Sequence, residues 1–162
     1  MIAFKFIIIA VISYLLGSLN FGVILSRGMK NEDVRESGSG NAGTTNMMRT
    51  YGKTLGLLTI AGDILKVIIA IWLAFRIVSV EELKMTLDSA SDYPQVVLKS
   101  FAGLFAVLGH IFPCYFKFKG GKGVATSGGM VIAIDWRIAL ILLAIFGLTI
   151  LRTKYVSLVS IL

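Results

Sequence analysis

Residues 6–25 read FIIIAVISYLLGSLNFGVIL, twenty positions from Phe6 to Leu25 without a charge. At 1.5 Å per residue a helix of this length covers ~30 Å, the hydrocarbon thickness of a bilayer. A cleaved leader would have a shorter apolar run and a small-residue cleavage signal. Here Asn20-Phe21 leads into a charged segment instead, so the stretch reads as a membrane span. The rest of the chain agrees. Of 162 residues, 56% are apolar and 15% charged, and mean hydropathy is +0.85. A soluble domain carries about 25% charged residues, and a chain this short could not hide so much apolar surface in one core. A soluble globular domain and a disordered chain are therefore both excluded. One Cys and one His also rule out an internal disulfide framework and a Cys- or His-built metal centre.

Further spans read from Thr54 to Phe75, broken by Asp63 and Lys66, and from Val96 to Phe116. Two shorter apolar stretches follow, Val124–Ile134 and Ile138–Leu151, separated by Asp135-Trp136-Arg137, which has the look of an interfacial turn. A new apolar run begins at Tyr155. The expected fold is all-α: a single membrane domain over residues 1–162, a polytopic helix bundle of about five to six spans, some short. Lys and Arg set its orientation. Arg27, Lys30, Arg35, Arg49 and Lys53 crowd the first connection, and Lys117, Lys119 and Lys122 the one after the third span. Arg152 and Lys154 fall on the same side, whereas the connection from Ser79 to Gln95 has only Lys84 against Glu81, Glu82, Asp88 and Asp92. The N-terminus is expected outside and the basic loops in the cytoplasm. The net charge of +7 is thus a membrane-surface charge, suited to anionic lipids and phosphorylated metabolites rather than nucleic acid.

Two of the cytoplasmic segments are rich in glycine. The first, residues 36–49, reads ESGSGNAGTTNMMR; the second, 116–129, reads FKFKGGKGVATSGG. Glycines allow close backbone approach, hydroxyls and amides add hydrogen bonds, and Arg49 and Lys122 add charge, a combination that suits a phosphate. The plainer readings are a flexible hydrophilic connector for the first and a basic interfacial anchor for the second. Gly-Gly-Lys-Gly is not a Walker A loop, because Gly follows Lys122 and the upstream sequence is a membrane helix. Asp63 and Lys66, three apart, lie on one helix face: either a structural ion pair or a substrate contact for Lys66. His110 is either a base or a packed histidine bonded within the bundle. Cys114 reads as packing, and Gly17, Gly22, Gly103 and Gly109 as sites of close helix approach.

Taken together, Ser39-Gly40-Asn41-x-Gly43-x-Thr45-Asn46-x-x-Arg49 and Gly120-Gly121-Lys122-Gly123-Val124-Ala125-Thr126 resemble the first two signature motifs of the bacterial acyl-phosphate:glycerol-3-phosphate acyltransferase family (PlsY). Tyr14-Leu15-Leu16-Gly17-Ser18, Gly62-Asp63-Ile64-Leu65-Lys66, Gly109-His110-x-x-Pro113 and Tyr155-Val156-Ser157-Leu158 extend the resemblance in order to the end of the chain. It implies an integral membrane enzyme of phospholipid synthesis that moves a fatty acyl group from acyl phosphate to glycerol 3-phosphate. The products would be lysophosphatidic acid and phosphate, with no cofactor, metal or acyl-CoA required. Its partners would be these two substrates and membrane lipids, and its location the cell inner membrane. Ser39, Arg49 and Lys122 are the expected catalytic residues. Asn41, Gly43, Thr45, Asn46, Lys66, His110, Gly120, Gly121, Gly123 and Thr126 are the expected substrate-binding ones. Asn20 and Thr44 depart from the family's common Pro and Ala. The family's third motif, His-Arg-x-Asn followed by Glu, does not occur in these residues, so the expectation is a chain lacking the C-terminal part of the family fold. The competing reading is a non-catalytic membrane protein that binds or transports an anionic phosphorylated solute. A structural subunit with no ligand is the third.

Overall fold

The computed structural model describes residues 2–87 and 93–153. Asp88, Asp92, Lys154 and the Tyr155–Leu158 motif lie outside them. All regular structure among the described residues is helical. Helix α1 (Ile2–Gly17) stops at the Ser18-Leu19-Asn20 step and resumes as α2 (Phe21–Lys30), which Asn31 ends in the left-handed conformation. A loop containing a 3-10 turn at Val34–Glu36 leads to α3 (Thr44–Tyr51). Gly52, at φ +89°, turns the chain directly into α4 (Lys53–Ile77). Then come α5 (Val80–Leu87), α6 (Tyr93–Ile111), a 3-10 turn at Cys114–Phe116, α7 (Val124–Ile134) and α8 (Trp136–Thr153).

Three segments are long and apolar enough to cross a membrane, 2–30, 53–77 and 93–116, and they contain the three expected spans. Helix α7 has only 11 residues; at 1.5 Å per residue it reaches ~16 Å, about half a bilayer. The expected turn at Asp135 is present: Asp135 ends α7, and its Oδ1 accepts the Arg137 N–H at 2.8 Å as α8 begins. At the same end of α7 Lys99 Nζ donates to the Ile134 carbonyl at 3.4 Å, placing a cation at a helix C-terminus.

Helix α4 is the hub and packs against α1, α2, α3, α6 and α7. Its buried stripe Val67, Ala70, Ile71 and Ala74 meets Ile9, Leu98, Ala102 and Ala106 in the main core. Helices α1 and α6 touch backbone to backbone. A Cβ on Gly17 would collide with the Ala106 carbonyl, and one on Gly109 with the Tyr14 carbonyl. Small residues of this kind allow van der Waals packing where the surroundings are as apolar as the helices. On the opposite faces Leu57, Leu65, Ile69 and Trp72 of α4, and Leu140, Ile141, Leu143 and Leu148 of α8, point outward. Such a surface suits lipid and not water.

One ion pair sets the relative sides. Lys5 meets Glu82 at 2.6 Å, so the start of α1 and helix α5 share one end of the bundle. The two glycine loops share the other.

Candidate active site at the loop end of the bundle

The first loop is folded rather than a free connector. Val34, Ala42 and Met47 are fully buried and form a second small core with Val23 and Leu55, against which Phe116 of the second loop packs. Asn46 organises the turn. Its Nδ2 donates to the Val34 carbonyl (3.0 Å) and the Ser37 carbonyl (2.9 Å), and its Oδ1 accepts the Ser39 N–H (2.9 Å). Asn41 Oδ1 accepts the Gly43 N–H at 2.9 Å, an Asx turn that leads into α3. Asn46 and Arg49 share α3 as expected, but Asn46 is buried inward and Arg49 is exposed.

A residue outside the expected site joins the loops. Arg35 grips Asp33 through Nε (2.9 Å) and Nη2 (2.6 Å), and its Nη1 donates to the carbonyls of Phe116 (3.0 Å) and Lys119 (2.8 Å). Arg27 also reaches Asp33, at 2.8 Å. Both guanidinium groups lie 5.8 Å from the centre of the Phe116 ring. The hydrogen bond from Arg35 holds the Asp33 carboxyl well below the usual carboxylate range, and Asp33 in turn raises Arg35. No motif marks this pair: Asp33-x-Arg35 is common polar sequence, and its partners are main-chain oxygens some eighty residues away.

Around this clasp the expected residues divide. Ser39, Thr45, Arg49 and Lys122 are exposed. Among the described residues neither Arg49 nor Lys122 is in an ion pair, so neither charge is compensated there. Gly43 precedes α3 and Gly123, at φ +82°, precedes α7; neither helix start receives a side-chain cap, which leaves N–H groups and the positive dipole end open. Thr126 is fully buried in the first turn of α7, and its hydroxyl has no partner among the described residues.

Lys66 and His110 lie deeper. Lys66 Nζ donates to Asp63 Oδ1 (2.8 Å), His110 Nδ1 (2.8 Å) and the Leu19 carbonyl (2.9 Å). An ammonium has three N–H groups, and all three are used. Lys66, expected at the substrate, is thus buried with these three partners, and Asp63, absent from the expected site, balances its charge. His110, 2% exposed, lies beneath Gly121, whose Cα faces its Nε2 edge.

Fold and site define a polytopic helical membrane protein with one polar end made from two clasped, glycine-rich, cationic loops. A sequence profile of the glycerol-3-phosphate acyltransferase family matches residues 7–162. The glycerol-3-phosphate acyltransferase of Ureaplasma urealyticum is 46% identical over 146 residues, 90% of this chain and 58% of that protein. Its Pseudomonas fluorescens counterpart is 43% identical over 155 residues, 96% of this chain and 74% of that protein. The crystal structure of PlsY (YgiH), an integral membrane glycerol 3-phosphate acyltransferase in its glycerol 3-phosphate form, superposes with a TM-score of 0.79 at 39% identity, covering 96% of this chain and 70% of that one. The lysophosphatidic acid form gives 0.76 at 37% identity. The chain belongs to the glycerol-3-phosphate acyltransferase family. It spans little more than half the length of the Ureaplasma relatives, 56% to 58%.

Proposed function

We propose that this protein transfers a fatty acyl group from acyl phosphate to glycerol 3-phosphate, giving lysophosphatidic acid and inorganic phosphate. The observation that carries the reading is the pair of exposed cations, Arg49 and Lys122, without an ion-pair partner among the described residues, on two glycine loops that Arg35 clasps together. Both substrates are anionic, and the two matching PlsY crystal structures are its glycerol 3-phosphate form and its lysophosphatidic acid form.

The chemistry asks little of the protein beyond placement and charge. A glycerol hydroxyl oxygen attacks the carbonyl carbon of acyl phosphate, and negative charge gathers on the carbonyl oxygen. The carbon–oxygen bond to phosphate then breaks, with the electron pair leaving on phosphate. The hydroxyl proton passes to a phosphate oxygen, so no protein base is needed. Arg49 and Lys122 bind the phosphates and offset the developing charge; Ser39, Asn41 and Thr45 orient substrate oxygens; the uncapped N–H groups at the starts of α3 and α7 complete the cradle. Acyl phosphate is already activated, so no covalent enzyme intermediate is required.

The loops face the cytoplasm and the N-terminus the outside of the cell inner membrane, a reading supported by the excess of Lys and Arg at the loop end. The test is incubation of the protein in lipid vesicles with acyl phosphate and labelled glycerol 3-phosphate. Labelled lysophosphatidic acid supports the reading. Thermal stabilisation by glycerol 3-phosphate without product would replace it with a binding or transport role.

A further inference from the structure

The buried charge cluster reaches the glycine loop through one side chain. Where α1 stops and α2 has not begun, the Leu19 carbonyl is left without a helical partner and takes a proton of Lys66 at 2.9 Å. Lys66 also donates to Asp63 Oδ1 and to His110 Nδ1, both at 2.8 Å. An ammonium can only donate, and Nδ1 is the ring nitrogen turned to it, which leaves Nε2 as the nitrogen turned to the loop. Asp63 Oδ1 lies 3.4 Å from the same Nδ1, farther than Lys66.

The Nε2 edge faces the second loop. A Cβ on Gly121 would collide with it, and one on Gly120 would strike the His110 carbonyl. The main chain is pinned at the same place: Gly121 N–H donates to the His110 carbonyl and Gly120 N–H to that of Ile111, each at 3.2 Å. Gly120 and Gly121 thus lie directly on the end of α6, with the imidazole as the floor. Lys122 is the next residue.

We propose that His110 is a positioning residue for the second glycine loop: held by Lys66, its ring sets where Gly120–Gly123 pass and hence where Lys122 meets an anion. Asp63, Lys66 and the break in the first span act through it. The inference rests on the reading that this loop binds phosphate, and it assigns His110 no contact with the reacting atoms.

His110 is the sole histidine of the chain, so histidine-selective 15N labelling reports its ring alone. In the vesicle-embedded protein at neutral pH the expected signal is a neutral ring protonated on Nε2. A ring protonated on Nδ1, or on both nitrogens, overturns the proposal. The second measurement uses the paired replacement D63N/K66M, which removes both charges together and leaves no unpaired ion in the bundle. The tautomer bias is expected to disappear, and the KM for glycerol 3-phosphate to rise about tenfold with kcat within about threefold, the pattern of lost ground-state binding. An unchanged KM overturns the proposal. Hydrogen exchange at Gly120 and Gly121 is expected to quicken about tenfold in the same variant. Should D63N/K66M fail to fold, H110Q, which keeps an acceptor for Lys66 but removes the ring, is expected to give the same KM and exchange shifts, and wild-type values would overturn the proposal. If the wild-type protein makes no product, the acyltransferase reading falls, while the tautomer and the exchange rates still decide the role of His110.

Discussion

Arg35 and Asp33 carry more of the site than their sequence context advertises. Arg35 makes four charge-assisted hydrogen bonds, two to Asp33 and two to carbonyls of the second loop. R35A should therefore loosen both loops at once, with a loss of about 2–3 kcal/mol in thermal or denaturant unfolding, more than a surface arginine would give. The lowered Asp33 carboxyl has a sign that can be checked. A folded-state value below the ordinary one stabilises the fold above that ordinary value, and the contribution is lost as pH falls below about 4. Thermal unfolding of the wild type should weaken between pH 5 and 3, and D33N should show a flatter profile there and lower stability at neutral pH. Arg49 and Lys122, which have no ion-pair partner among the described residues, should behave differently. R49A and K122A should each lower the rate of lysophosphatidic acid formation by about a hundredfold with unfolding temperature little changed.

At the scale of elements, the glycine contacts separate packing from flexibility. Gly17 and Gly109 allow α1 and α6 to meet at their backbones, whereas nothing lies within 4 Å of a Cβ built on Gly147 of α8. G17A should destabilise by about 1–3 kcal/mol by forcing the helices apart, while G147A should be neutral or slightly stabilising, because alanine is the better helix former. Unfolding midpoints of the two variants in one detergent make the comparison. Helix α7 follows similar logic. It is short, starts at Gly123 in the left-handed region and ends where Lys99 reaches its last carbonyl. Its boundaries, Val124 and Ile134, were readable from the run of apolar residues between Gly123 and Asp135. The break at Ser18–Asn20 was not. Phe6–Leu25 is uncharged throughout, and the approach of Lys66 from α4 gives the freed Leu19 carbonyl a partner.

The whole molecule has two chemically distinct ends. Lys5 and Glu82 pair at one, and Arg35 joins the loops at the other. In a background with Cys114 replaced by alanine, S39C should react with a membrane-impermeant maleimide only after the cytoplasmic side is exposed, and S79C in intact cells. Reversed labelling would invert the proposed orientation while leaving the fold untouched. Both positions are exposed, so accessibility depends on the side of the membrane and not on burial.

Hydropathy and glycine spacing in the sequence alone determined that this is a helical membrane protein, where its three long spans run, and which family its motifs resemble. These properties follow from local runs of residues, and the bilayer rewards them one segment at a time. The functions of individual polar residues were decided by tertiary structure. The partners of Lys66 are Leu19, Asp63 and His110, on three different segments. Arg35 became the clasp because two carbonyls far along the chain are folded against it. A hydrogen bond needs its partner within about 3 Å, and only the packed bundle brings such distant residues that close.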